Sequence, residues 1–165
     1  MQEALRLFES DSTRQPYTAG NDMFVVSPVN ARERLTSFIR KARKQLLIYD
    51  PKIGDRLMIT LLQQRAKAGV DVRVIGKIGR RGAALKAQKF PGRRLHVRAI
   101  VRDGVRAFVG SQSLRKLELD ARREAGVIVR DPKIVKRIAC VFEADWALTD
   151  LGKAEGGRER EALSA

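Results

Sequence analysis

The chain has 165 residues, a length that suits one domain, and its 44% hydrophobic and 32% charged residues allow a packed core and exclude a disordered composition. Thirty-four lysines and arginines against 19 acids leave a net charge of +15, and one histidine with one cysteine excludes a Cys/His zinc cluster and an intrachain disulfide. No apolar run approaches the roughly 18 residues that span a bilayer, and the opening MQEALRLFESDSTR lacks the apolar core of a secretory signal, so the expected location is the cytoplasm, with peripheral membrane contact left open.

Residues 1–22 read as an attachment, with a short helical stretch EALRLFESD before a polar linker. Phe8-Glu9-Ser10-Asp11 echoes Phe142-Glu143-Ala144-Asp145, which suggests the last helix of a preceding repeat. From 23 to 147 strands and helices alternate. MFVV (23–26) is a predicted strand, ended by Ser27-Pro28. Ala31, Leu35, Phe38, Ile39, Ala42 and Leu46 form one helical face. LLIYD (46–50) reads as a buried strand, and Leu57, Met58, Leu61, Leu62 and Ala66 mark a second helix that Gly69 closes. VDVRVIG (70–76) is again strand. Residues 77–90 have no clear period and are expected to form a mobile basic loop with one or two helical turns. LHVRAIVRD (95–103) and VRAFVGS (105–111) flank Asp103-Gly104, a hairpin signal. LRKLELDARR reads as irregular or a short helix, and EAGVIVR (124–130) as a strand. Asp131 caps a last helix with Pro132 at its first position, running to about Trp146. Cys140, inside that helix, is expected to be a small buried hydrophobe. The tail 148–165 reads as disordered. The order implies an α/β fold with a mixed sheet flanked by helices.

The positive charge is concentrated. Between Arg73 and Arg106 eleven basic residues face one acid, Asp103, a net +10. Such a field attracts phosphate-bearing partners: nucleic acid, anionic lipid or nucleotide. The single histidine lies in this stretch. In an extended strand His96 and Arg98 point the same way, roughly 7 Å apart. A two-residue Asp103-Gly104 turn pairs Arg102 with Val105 and places Ser111 opposite His96, with Cβ atoms about 5 Å apart. Imidazole can attack phosphorus or move a proton, Arg98 can fork onto phosphate oxygens, and Ser111 and nearby amides can donate to another. Gly110 leaves room for a ligand to approach the backbone. Asp103, seven residues from His96, falls roughly 20 Å away and reads as the turn residue. Glu124, which opens the next strand, is the candidate to orient the imidazole.

His96-Val97-Arg98-Ala99-Ile100-Val101-Arg102-Asp103, followed by Gly110-Ser111-Gln112-Ser113 and then Glu124, resembles the signature of the phospholipase D superfamily, His-x-Lys-x4-Asp with a downstream Gly-Ser-x-Asn. The phrases NARERLTSFIRKARKQLLIYD, AKAGVDVRVIG, RAFVGSQSL and EAGVIV carry the same resemblance, which covers residues 23–147. It implies a reaction without metal or cofactor: one histidine attacks the phosphorus of a phosphodiester and forms a phosphohistidine, and a second protonates the leaving alcohol. It adds Ser113 to Arg98 and Ser111 as phosphate-binding candidates. Two positions depart from the signature, Arg98 in place of lysine and Ser113 in place of asparagine. One histidine cannot fill both roles, so a second copy in a homodimer, or a missing N-terminal repeat, is implied. The resemblance puts a phospholipid head group slightly ahead as substrate. A nuclease, or a degenerate phosphate-binding half-domain, are the alternatives.

Overall fold

A computed structural model describes residues 2–163. Its strands are β1 (Phe24–Ser27), β2 (Gln45–Ile53), β3 (Asp71–Ile78), β4 (Lys86–Gln88), β5 (Ala99–Arg102), β6 (Arg106–Gly110) and β7 (Glu124–Val129). Its helices are α1 (Gln2–Ser12), α2 (Ala31–Arg40), α3 (Arg56–Lys67), α4 (Lys116–Asp120), α5 (Pro132–Ala147) and α6 (Asp150–Leu163). The strands form one sheet in the order β1-β7-β6-β5-β2-β3-β4, parallel across β2-β3-β4 and antiparallel elsewhere. Among the described residues no helix is long and apolar enough to cross a membrane.

Both faces of the sheet are covered, which explains the unbroken apolar run of β2. Leu46 and Ile48 face one way and pack with Val74, Ile100 and Phe108 against Leu35 and Ile39 of α2 and Met58 and Leu62 of α3. Leu47 and Tyr49 face the other way and pack with Val101 and Ala107 against Val135, Phe142 and Trp146 of α5. A smaller cluster, Leu7, Tyr17 and Val26, seats α1 on the edge of the sheet. The predicted caps are present. Asp131 accepts from the amides of Lys133 and Ile134 at the start of α5, and Gly69, at φ +85°, follows the end of α3.

Five sequence expectations change. First, β5 starts at Ala99 and not at Leu95, because its partner β2 pairs with it only from Leu46 to Tyr49. Residues 95–98 have lost that neighbour and keep one ladder bond, from Gly110 N–H to Arg98 O. Second, the hairpin register is displaced by one residue: Arg102 pairs with Arg106, and Ala99 with Val109. Asp103 and Gly104 both adopt positive φ, 54° and 67°, and the Val105 amide closes the turn onto Arg102 O. Val105 then becomes an extra residue, a bulge opposite Arg102.

Third, residues 77–90 are ordered as a 3-10 turn at Arg80–Gly82 and the edge strand β4, because Leu85 is buried in the core and Ala87 packs against it. Fourth, α6 replaces the expected disordered tail. Thr149 Oγ1 accepts from the Gly152 amide as its cap, and Glu155 accepts from Trp146 Nε1 and Lys86. Fifth, Cys140 is exposed, because it falls off the stripe of Val135, Phe142 and Trp146 that faces the sheet.

Candidate active site

Asp50, the acid that ends the buried run of β2, is the hub of the site. It is only 2% exposed. Its Oδ1 accepts from Ser113 Oγ at 2.8 Å and from the Lys52 amide at 2.9 Å, and its Oδ2 accepts from the Leu114 amide at 2.7 Å. Burial pushes the Asp50 carboxyl above the usual range, while these bonds and the nearby Arg98 charge act the other way. Gly76 of β3 lies against this turn of the chain; a Cβ there would fall 1.7 Å from Asp50 O, so the close approach of β2 and β3 requires glycine. Arg98, half-buried, donates from Nη1 to the His96 carbonyl at 2.9 Å, and its buried Nε has no partner. Sequence reasoning missed Asp50. Its one signal was a carboxylate closing an apolar strand.

His96 is exposed and lies in the non-strand segment before β5. Ser111 is also exposed, and its hydroxyl both donates to Ala125 O (3.2 Å) and accepts from Ala125 N–H (3.1 Å), fastening the end of β6 to β7. The observed register continues, through the bond between Gly110 and Arg98, to Gln112 and not Ser111 as the residue across from His96. Gln112 is buried and donates from Nε2 to Val25 O and Glu124 O. It fills the space over two paired glycines. A Cβ on Gly110 would lie 2.6 Å from Gln112 Oε1 and 2.7 Å from the Phe108 ring, and one on Gly126 would lie 2.9 and 2.5 Å from those same side chains. The smallness of Gly110 therefore serves packing, and the expectation that it admits a ligand is corrected.

Glu124 opens β7, half-buried, paired with Ser27 and one strand beyond Gln112. Asp103 sits at the turn, as expected. Its carboxylate accepts from the backbone amides of Arg43, Lys44 and Gln45 at 2.7–3.1 Å. The structure thus gathers Arg98 and Ser113 around Asp50 with His96 next in the chain. It ties Ser111 to β7 and leaves Asp103 at the opposite end of the hairpin.

A cleft of about 400 Å³ opens beside Leu95, at the C-terminal ends of the parallel strands β2 and β3. Ligands commonly bind outside those strand ends in α/β sheets. Lys52, Lys77, Lys89, Arg93, Arg94 and Arg115 line it, and no acid does. Arg115 is paired with Glu118; among the described residues the other five have no acidic partner. Four of the eleven cations of the strongly basic stretch read from the sequence, Lys77, Lys89, Arg93 and Arg94, therefore converge here, at the His96 end of the sheet.

A mixed sheet between helical layers, with a cationic cleft at its parallel strand ends and the His96 motif beside it, defines an α/β protein of the phospholipase D type. The chain belongs to the phospholipase D-like family: residues 35–146, from α2 to α5, match the family described as "Cardiolipin synthase, PLD-like domain". Among curated proteins no sequence matches. The fold is similar to that of Nuc from Salmonella typhimurium, described as a phospholipase D family member, with a TM-score of 0.67 and 22% identity over 76% of this chain and 93% of that one. It is similar to NucT from Helicobacter pylori, with a TM-score of 0.67 and 14% identity over 76% of this chain and 95% of that one. It also matches part of the polyphosphate kinase from Porphyromonas gingivalis, at a TM-score of 0.71 and 22% identity, over 86% of this chain and 24% of that one.

Proposed function

We propose that the protein is a phosphodiesterase that works through a phosphohistidine on His96, as one half of a two-histidine active site, with a nucleic acid strand as substrate. The carrying observation is the acid-free cleft of six cations beside the motif. A single head-group phosphate needs one or two such partners; a strand that presents a phosphate at every nucleotide engages all of them. Nuc and NucT, whose fold this chain shares over nearly their whole length, support the same reading.

In the reaction His96 attacks phosphorus and the bond to the leaving oxygen breaks. That oxygen takes a proton from His96 of a second copy. Water then attacks the phosphohistidine, the phosphorus–nitrogen bond breaks to free His96, and the water's proton passes to the second copy's imidazole, which restores both histidines. Arg98 and the cleft cations offset the charge on the non-bridging oxygens, and Glu124 orients the imidazole. Ser111 and Ser113 are further phosphate-binding candidates. Each must first turn its hydroxyl away from Ala125 or Asp50, so Arg98 makes the primary contact. The second copy docks on the apolar face beside His96, where Val97, Val109, Ile134 and Val141 are all exposed. That Nuc and NucT are each almost fully covered by one such domain supports one repeat per chain, with the second half supplied by association.

A phospholipid head group is the second reading, favoured by the cardiolipin synthase description of the matched family. The test compares release of product from a single-stranded oligonucleotide, an aryl phosphodiester and anionic phospholipid vesicles. Cleavage of the first two, lost in His96→Ala, is expected. Turnover of vesicles alone moves the substrate to lipid. Undiminished activity in His96→Ala refutes the phosphohistidine mechanism.

A further inference from the structure

The turn end of the β5–β6 hairpin holds a second group of cations, separate from the cleft beside His96. A cavity of about 230 Å³ is lined there by Arg34, Lys41, Arg102, Arg106 and Arg130, with Asp22 as its one acid. Asp22 is already bound to Arg34 at 2.6 Å. Among the described residues Lys41, Arg106 and Arg130 have no acidic partner. Lys41 caps the C-terminal end of α2, where a cation is favoured by the helix dipole. The three arginines have no such reason to gather. Arg102 and Arg106 are direct cross-strand partners, an arrangement that costs stability between like charges, and Arg130 follows Val129, which pairs with Ala107 on the next strand.

Arg102 is the buried member, 8% exposed. Its guanidinium lies over the Phe38 ring at 4.7 Å and donates once, from Nη1 to Phe38 O at 3.2 Å, while its Nε is buried without a partner. Burial and then the Arg106 charge weaken its hold on the proton, Asp103 opposes them, and Arg130 adds to them. The Asp103 carboxylate itself is engaged with the amides of residues 43–45. Desolvation beside two charges of the same sign opposes what the Phe38 ring contact and the one hydrogen bond contribute. An anion in the cavity changes that balance, and planar guanidinium forks match the oxygens of a phosphate.

We propose that this cavity is a second phosphate-binding site, built by Arg102, Arg106 and Arg130 with Lys41 at its rim, for a phosphate group carried free or in a nucleic acid backbone. It shares no lining residue with the His96 cleft, so it stands or falls independently of the proposed reaction.

The test is a nitrogen-15 NMR titration of the full chain at about 0.15 M salt, where isolated surface charges are largely screened. One arm uses inorganic phosphate and the other a short single-stranded oligonucleotide. Shifts at the amides of residues 37–41 and 102–106 are expected. Phosphate alone acting marks a site for a free anion; the oligonucleotide acting marks a backbone contact, whose salt dependence weakens by about one unit of slope for each phosphate contact removed. The double variant Arg106→Gln/Arg130→Gln should lose at least about tenfold in affinity at these amides, the scale of one charge-assisted hydrogen bond. Lys41→Gln, a substitution at the surface on which no packing depends, should lose about threefold and serves if the double variant does not fold. Shifts confined to residues 51–52, 76–77 and 89–96 with both probes, or unchanged affinity in the folded variants, overturn the proposal.

Discussion

Asp103 occupies the position of the motif aspartate, yet it is placed to stabilise the fold and not to meet a substrate. Its carboxylate gathers three backbone amides that have no other partner in the turn from α2 to β2. Bonds to a charged acceptor are worth about 1.5–3 kcal/mol each when buried, but the amides of Arg43 and Lys44 are exposed and water can replace the carboxylate there. About 2 kcal/mol for the three together follows, most of it from the half-buried Gln45 amide. Asp103 also sits at φ 54°, a conformation that costs an alanine about 1–2 kcal/mol.

Asp103→Ala should therefore lower stability by about 3 kcal/mol, and Asp103→Gly by about 2, because glycine removes the strain but not the missing bonds. Asp103→Asn keeps an acceptor and tolerates positive φ, and should cost about 1 kcal/mol. Urea unfolding followed by fluorescence of Trp146, which is buried in the α5 core, measures all three. Although burial works against it, the amides of Lys44, Gln45 and Arg43 hold the Asp103 carboxyl below the usual carboxylate range. Its contribution is then fully present above the unfolded value near pH 4 and is lost as the pH falls below it, so the gap between wild type and Asp103→Asn should close in acid. An Asp103→Ala variant as stable as wild type, with diesterase activity abolished, would refute the structural role.

Other expectations are as direct. Gly126→Ala forces a Cβ to within 2.5 Å of the Phe108 ring and 2.9 Å of Gln112 Oε1, and should lower the thermal midpoint by the equivalent of about 2 kcal/mol through overpacking; no change in calorimetry argues against the tight crossing of β6 and β7. Thr149→Ala removes the cap that starts α6 and should cost about 1 kcal/mol, seen as faster hydrogen exchange across residues 150–158 with α5 unaffected. Ile134→Glu puts a charge in the exposed apolar face beside Val97 and Val109 and should shift the chain to monomer in analytical ultracentrifugation, with diesterase activity lost in parallel. A fully active monomer would remove the need for a second copy.

The alternation of apolar runs and helical faces was enough to place β1, β2, β3, β7, α2, α3 and α5, because local periodicity and end signals such as Asp131-Pro132 act over a few residues. The motif from His96 to Ser113 was legible for the same reason: its spacing is a property of the chain. What the chain could not state is which strands are neighbours. The end of β5 is decided by where β2 stops pairing with it. The hairpin register is decided by Asp103 reaching three amides some sixty positions away, which leaves Val105 as a bulge and puts Gln112, not Ser111, across from His96. Asp50 became the centre of the site only once the loop after β6 folded back to bring Ser113 and Leu114 onto it. The tail looked disordered because its composition is polar, and Trp146, Lys86 and Thr149 hold it as a helix through contacts that composition does not contain. Periodicity fixes which residues face a core, but strand order, register and the meeting of distant charges depend on closing loops tens of residues long, and only the packed structure decides those.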